Sequence, residues 1–250
     1  MADDHALTVQ VLEQAVEIRA GAATVLRYRF GAALWKPYVQ SLRLPGCPEL
    51  LADAPADHPH HHGLWFGHGR VEAAGEQHDL WLERPGRGRL VHTGLALAPD
   101  GFTAGTDWQA ADGRWLARDR RTFHVALRAA ELTVHIDYAL EGEGVRLHGS
   151  NEAGLPHLRP APFIAARGGG VARDSEGRCG EQEIFGQSAA WVDYSGAGGG
   201  IRVLDDPTNL GRPTRWFVRD YGPFSPNDGF FDPQPRPLPL HLSYTVVAHA

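Results

Sequence analysis

Six of the 14 histidines in this chain (His58, His60, His61, His62, His68 and His78) fall between residues 57 and 81, several times the share an even spread would leave there. Five of them lie in the run DHPHHHGLWFGHG (57–69), which Pro59 interrupts, so it does not read as a cloning tag. A neutral imidazole is both a general base near neutral pH and the commonest metal ligand, which opens two chemistries. If residues 58–62 are extended, His58, His60 and His62 share one face and His61 points away. His68, from the turn that follows, would then complete a three-nitrogen site with an open position for a divalent metal. No HExxH occurs, and no glutamate ligand follows the paired histidines at short range, so the metal reading rests on histidine excess alone. The second chemistry is proton transfer, with His58, His60, His61 and His68 as acids and bases together with Asp193. The plain alternative is a wet loop whose histidines bond backbone and water.

Two further segments mix aromatic and polar residues. In WVDYSG (191–196), strand alternation puts Trp191 and Asp193 on one face and Val192 and Tyr194 on the other. PTNLGRPTRWFVRDYG (207–222) supplies Asn209, Trp216 and Tyr221, with Asn227 just beyond. A flat aromatic ring packs against the C–H side of a sugar while Asp, Asn, Arg and His bond its hydroxyls. Asp57, His62, Trp65, Trp191, Tyr194, Asn209, Trp216, Tyr221 and Asn227 are therefore the candidate substrate-binding residues. Trp216 is expected to matter more for ligand than for folding, and segments 57–69 and 205–228 are expected to meet on one face. No GxSxG or GxxxxGK[ST] occurs, and GAGGGI lacks the strand-to-helix setting of a dinucleotide site. Asp57, Asp79, Asp119 and Asp193 are too scattered for spacing to identify a catalytic pair. Cys47 and Cys179 form no CxxC, and Lys36, the one lysine, would have to carry any Schiff-base chemistry itself.

The elements that must position these residues are strands. LTVHIDYAL (132–140) alternates, with Leu132, Val134, Ile136, Tyr138 and Leu140 on one face. TFHVALRA before it alternates too, and the break at Ala130–Glu131 predicts a hairpin. Residues 24–30, 89–97, 201–205 and 241–247 are further strands, punctuated by 30 glycines and 18 prolines. The expectation is one all-β domain over 1–250, an antiparallel sandwich, with proline-rich loops at 45–88 and 205–239 where a site would be built. A net charge of -6 argues against a nucleic-acid or anionic-membrane partner. No apolar window is long enough for a membrane span, and the acidic start MADDH is unlike a secretory signal, so a cytoplasmic protein is expected. The sequence leaves oligomeric state open.

KPYVQSLRLP, DHPHHHGLWFGHG, WVDYSG and DPTNLGRPTRWFVRDYGPFSPN occur in the order found in the bacterial PmoA-like family, which the chain resembles over roughly residues 35–247. That resemblance implies a β-sandwich related to aldose-mutarotase supersandwiches and a role in carbohydrate metabolism. Departures occur at His62, where the family commonly has arginine, at Arg70, where it has an acid, and at Asp206, where it tends to histidine. Three functions follow as expectations. The first is an enzyme moving protons on a sugar-like substrate, as an epimerase, mutarotase or eliminating lyase does. The second is a histidine-ligated divalent-metal enzyme, and the third a non-catalytic carbohydrate-binding domain.

Overall fold

The computed structural model describes residues 6–150, 152–227, 231–232 and 234–250. The acidic start and position 228 lie outside these residues. The first strands are β1 (Leu7–Leu12), β2 (Ala15–Ala20), β3 (Ala23–Arg29), β4 (Tyr38–Leu42), β5 (Leu64–His68), β6 (Val71–Ala73) and β7 (Glu76–His78). Next come β8 (Arg89–Ala98), β9 (Gly101–Gln109), β10 (Trp115–Arg128), β11 (Glu131–Glu141), β12 (Arg146–Leu147) and β13 (Ala153–Leu158). The chain continues with β14 (Val171–Asp174), α1 (Gly180–Ile184), β15 (Trp191–Gly196), β16 (Gly199–Asp205), β17 (Trp216–Val218), β18 (Phe224–Pro226), β19 (Arg236–Pro237) and β20 (Leu240–His249).

Two eight-stranded antiparallel sheets result. One has the order β1-β2-β3-β4-β5-β13-β18-β17, the other β14-β15-β16-β20-β11-β10-β9-β8. A small third sheet, β19-β12-β6-β7, sits beside them. The fold is an all-β sandwich, as the alternation predicts. Leu132, Val134, Ile136, Tyr138 and Leu140 of β11 all face the core. The hairpin turn falls at 129–130, one residue earlier than expected, with Ala129 at φ 47°.

Rings from opposite sheets meet in that core. Tyr28 of β3 packs 5.2 Å from Phe102 and 5.6 Å from Phe123, and Phe66 of β5 stacks 4.8 Å from Tyr138. Burial of this apolar surface is the main stabilising term. A buried Arg121–Asp119 pair at 2.7 Å is closed by the Trp108 indole N–H, which also donates to Asp119 at 2.7 Å. Asp119 is thereby committed to structure. Among the described residues, no helix is long and apolar enough to cross a membrane.

The first sheet positions the candidate site residues. β5 is buried along its whole length and lies between β4 and β13. Its N-terminal end leads back into the histidine run. Gly63, at the junction, approaches the Val39 carbonyl so closely that a Cβ there would sit 2.3 Å from it, so only glycine fits. β13 brings His157 opposite Trp65, next to a register shift between Gly154 and His157. The β17–β18 hairpin carries Phe217, Arg219 and Tyr221 to the same end.

Candidate functional site

Residues 55–61 are not extended. The His58 N–H donates to the Pro55 carbonyl (3.0 Å) and the His61 N–H to the His58 carbonyl (2.9 Å), so two successive turns fold the run. The expected grouping of His58, His60 and His62 on one face is corrected by these turns. His58 and His61 instead stack at 4.6 Å and 17°, and His60 meets His61 edge-on at 4.6 Å. Tyr221 stacks on the other side of His58, at 5.1 Å and 12°. Segments 57–69 and 205–228 therefore meet, through Tyr221.

These rings rim a cleft of about 290 Å³, lined by His58, His60, His61, Trp81 and Glu152 on one side. His157, Phe217, Arg219 and Tyr221 line the remainder. Trp65 lies beneath, fully buried, 4.5 Å from His157 and 5.1 Å from His61. The volume lies near the lower limit for small-molecule sites, and the aromatic floor with convergent polar groups suits one.

Burial disfavours the charged form of three cleft imidazoles, those of His60, His61 and His157. Burial, with Lys36 and His58 next, pushes His60 down to about 4. Burial pushes His157 down to about 3, and a backbone contact at Ala153 offsets only part of this. His61 is driven well below the usual imidazole range by burial and by His157 and His60 beside it. The Arg159 guanidinium, which can only donate, lies 3.5 Å from His61 Nδ1, a long contact that favours the tautomer with the proton on Nε2. Arg159 is itself anchored on Asp57 at 2.7 Å. Glu152 shifts the other way: burial, then the Asp79 carboxylate, raises its carboxyl. His157 is buried, and among the described residues neither ring nitrogen makes a well-formed hydrogen bond, its one polar approach being the weak backbone contact at Ala153. Such a group is costly to bury unless something else occupies its hydrogen-bonding positions.

Beside the cleft runs a bonded chain of charges. His62 uses both ring nitrogens, on Asp53 (2.6 Å) and Glu83 (3.0 Å), and stacks on Tyr38 at 4.1 Å. Burial opposes its charge, but the two carboxylates outweigh this and raise it. With both nitrogens occupied, His62 has none left for substrate or metal. Glu83 continues the chain to Lys36 at 3.1 Å. The Lys36 ammonium also donates to the carbonyls of Trp81 (2.9 Å) and His60 (3.2 Å), which pins the histidine turn from below. All three of its N–H groups are engaged.

The other expected site residues lie elsewhere. His68, at the far end of β5, lines a separate cavity of about 50 Å³ with Asn209 and Asn227. Burial pushes His68 down to about 4. Asn209 ties Asp205 (2.8 Å) and the Ser243 backbone (2.7 and 2.8 Å), and Asn227 donates to the Ala153 carbonyl at 2.8 Å. Asp193 is held by His249 (2.7 Å) and lies near Arg202 (3.4 Å), whose guanidinium covers Trp191 at 4.7 Å. Tyr194 is fully buried and donates to the Arg219 carbonyl at 2.8 Å. Trp216 is fully buried too, with its indole N–H on the Ala189 carbonyl at 2.8 Å. The expectation that it serves ligand more than folding is corrected by that burial. Among the described residues, no three His, Cys, Asp or Glu side chains are grouped so as to hold a metal ion.

Sequence reasoning missed His157, Glu152, Arg159 and Arg219. His157 stands alone in LPHLRPAP, and its only signal is a polar ring inside an otherwise apolar strand.

Fold and site together define an antiparallel β-sandwich protein with a histidine-lined, aromatic-floored cleft. The chain belongs to DUF6807, a family of unknown function, whose model matches residues 15–250. This corrects the PmoA-like resemblance: the family that matches is DUF6807, and short segments rich in His, Trp, Pro and Gly did not suffice to tell families apart. No curated protein matches the chain. It is similar to a crystal structure from Escherichia coli K12 named as a "Putative aldose 1-epimerase", at 13% identity and a TM-score of 0.42. That likeness covers 97% of this chain and 98% of the other. At that TM-score it carries no argument about this chain's chemistry.

Proposed function

We propose that the cleft is the active site of an enzyme that moves protons on a sugar-like small molecule, as an epimerase or mutarotase does. The observation that carries this reading is His157, buried in the wall of a cleft that also holds His60 and Glu152, with no well-formed hydrogen bond among the described residues and only a weak backbone contact at Ala153. Mutarotation needs a base to take the anomeric hydroxyl proton and an acid to give one to the ring oxygen. Epimerisation beside a carbonyl needs a base that removes a proton from carbon and an acid that returns one. His60 and His157 are the bases, unprotonated at neutral pH. Glu152, whose carboxyl is raised by burial and then by Asp79, is the candidate acid. In the favoured tautomer His61 presents Nε2–H as a donor. Trp81, Phe217 and Tyr221 offer the aromatic faces that the C–H side of a sugar packs against. Elimination from a sugar with a leaving group one carbon further on starts with the same proton abstraction, so it belongs to the same reading.

The test is turnover in deuterated water on a panel of aldoses and ketoses. Wild type is expected to accelerate anomer exchange or carbon-bound deuterium uptake for at least one of them. His60→Gln is expected to lose about two to four orders of magnitude in rate with the fold intact. Sugar binding without any turnover would make the protein a binding domain instead.

A further inference from the structure

Arg219 is the arginine whose side chain lines the cleft, whereas Arg167 lies 5.4 Å from the Tyr221 ring but outside the lining. Lys36 spends its N–H groups beneath the floor, and Arg159 is tied to Asp57 and His61. Arg219 places Nη1 on Glu181 Oε1 at 2.6 Å, while Glu181 Oε2 accepts the Asp220 N–H at 2.9 Å. Its planar group lies over two rings, 4.5 Å from the Phe185 centroid and 5.0 Å from Phe217. Anchoring and stacking fix the plane, and the opposite edge, Nε with Nη2, makes no hydrogen bond or ion pair among the described residues. That edge belongs to a side chain lining the cleft, and its two parallel donors match the two oxygens of a carboxylate.

We infer that the ligand of this cleft carries a carboxylate, seated side-on against Nε and Nη2 of Arg219, and is a sugar acid and not a neutral sugar. This rests on reading the cleft as a sugar site. A phosphate is the poorer fit: it carries more charge and more acceptors, whereas among the described residues Arg219 is the one permanently cationic side chain in the lining. Cations reach the site from beneath: Arg159 acts on His61, and both Arg159 and Lys36 act on His157, while the Glu152 carboxyl lines the cleft and Glu83 acts on His60 in the opposite sense. An anion bound here also stabilises a proton arriving on a neighbouring imidazole, which would make His60 and His157 better bases in the complex than in the free protein.

The experiment is calorimetric titration with D-glucuronate, D-galacturonate, D-glucose, D-galactose and glucose 6-phosphate. The proteins are wild type, Arg219→Gln and Arg219→Lys, each checked for an unchanged melting curve. One charge-assisted bidentate contact predicts that a uronate binds about ten- to a hundredfold more tightly than its neutral parent. Arg219→Gln is expected to erase that preference, and Arg219→Lys to restore part of it. Neutral sugars binding as well as the acids, a preference that survives Arg219→Gln, or tighter binding of the sugar phosphate would each overturn the inference and leave the sugar-site reading standing. No binding by any of the five would overturn both.

Discussion

Replacing His157 by leucine separates what this residue does for function from what it does to the fold. Leucine is close to histidine in size and removes two buried nitrogens whose only polar approach is a weak backbone contact at Ala153. It forfeits ring contacts with Trp65, Trp81 and Phe217. Relief of unsatisfied polar burial, about 1–3 kcal/mol, and lost aromatic contacts, about 0.5–1.5 kcal/mol each, leave net stability near pH 7.5 close to wild type. The pH dependence then carries the signal. His157 titrates at about 3 in the folded protein against 6.5 for an ordinary imidazole. Its folded value is depressed, so below pH 6.5 the unfolded chain takes up a proton that the native state refuses. Stability therefore falls as pH drops. Between pH 7.5 and 5 this one group costs the native state about 2 kcal/mol, at about 1.4 kcal/mol per pH unit. Urea unfolding at the two pH values measures it. The Leu variant is expected to lose about 2 kcal/mol less than wild type on acidification. Equal losses for both proteins would mean that His157 is protonated or well bonded in the folded state, and the argument built on its poorly bonded nitrogens would fail.

Other outcomes follow from the same structure. Trp216→Ala is expected to lose about 3–5 kcal/mol of stability by denaturant titration, as a core tryptophan does; a change under 1 kcal/mol would return Trp216 to the surface role its sequence suggested. His62, raised by its two carboxylates, contributes stability that is present below pH 6.5 and lost as pH climbs through its raised value. The gap in stability between wild type and His62→Gln should therefore shrink from pH 6 to pH 9, and a constant gap would contradict the ion-pair account. Tyr221→Ala, which removes the ring stacked on His58, should raise KM several-fold with little change in melting temperature. Finally, the acid limb of kcat/KM should fall near the depressed values of His60 and His157, about 4 and about 3, and an inflection at 6.5 would point to an ordinary solvated histidine.

The sandwich was legible because half-buried strands must alternate, and β11 displays the pattern over its full length. The cleft was legible where its residues are neighbours in sequence: His58, His60 and His61 stand out as a cluster, and Tyr221 lies in the loop that reaches them. The rest depends on contacts the sequence does not encode locally. His62 looks like its neighbours in the run and is removed from the cleft by Asp53 and Glu83, 9 and 21 residues away. Trp216 and Tyr194 occur among polar residues as a sugar platform would, yet strand pairing turns both inward. The face prediction for 58–62 failed because proline and the following turns break the twofold period on which it relied.

Deuterium exchange followed by NMR shows whether the cleft moves protons on a sugar-like molecule, with wild type, His157→Leu and Glu152→Gln set against the sugars and sugar acids above. The account predicts that wild type speeds anomer interconversion or labels one carbon position. It also predicts that each variant is folded and slower by about two to four orders of magnitude. Exchange no faster than buffer for every compound, or full rates in both variants, would contradict it.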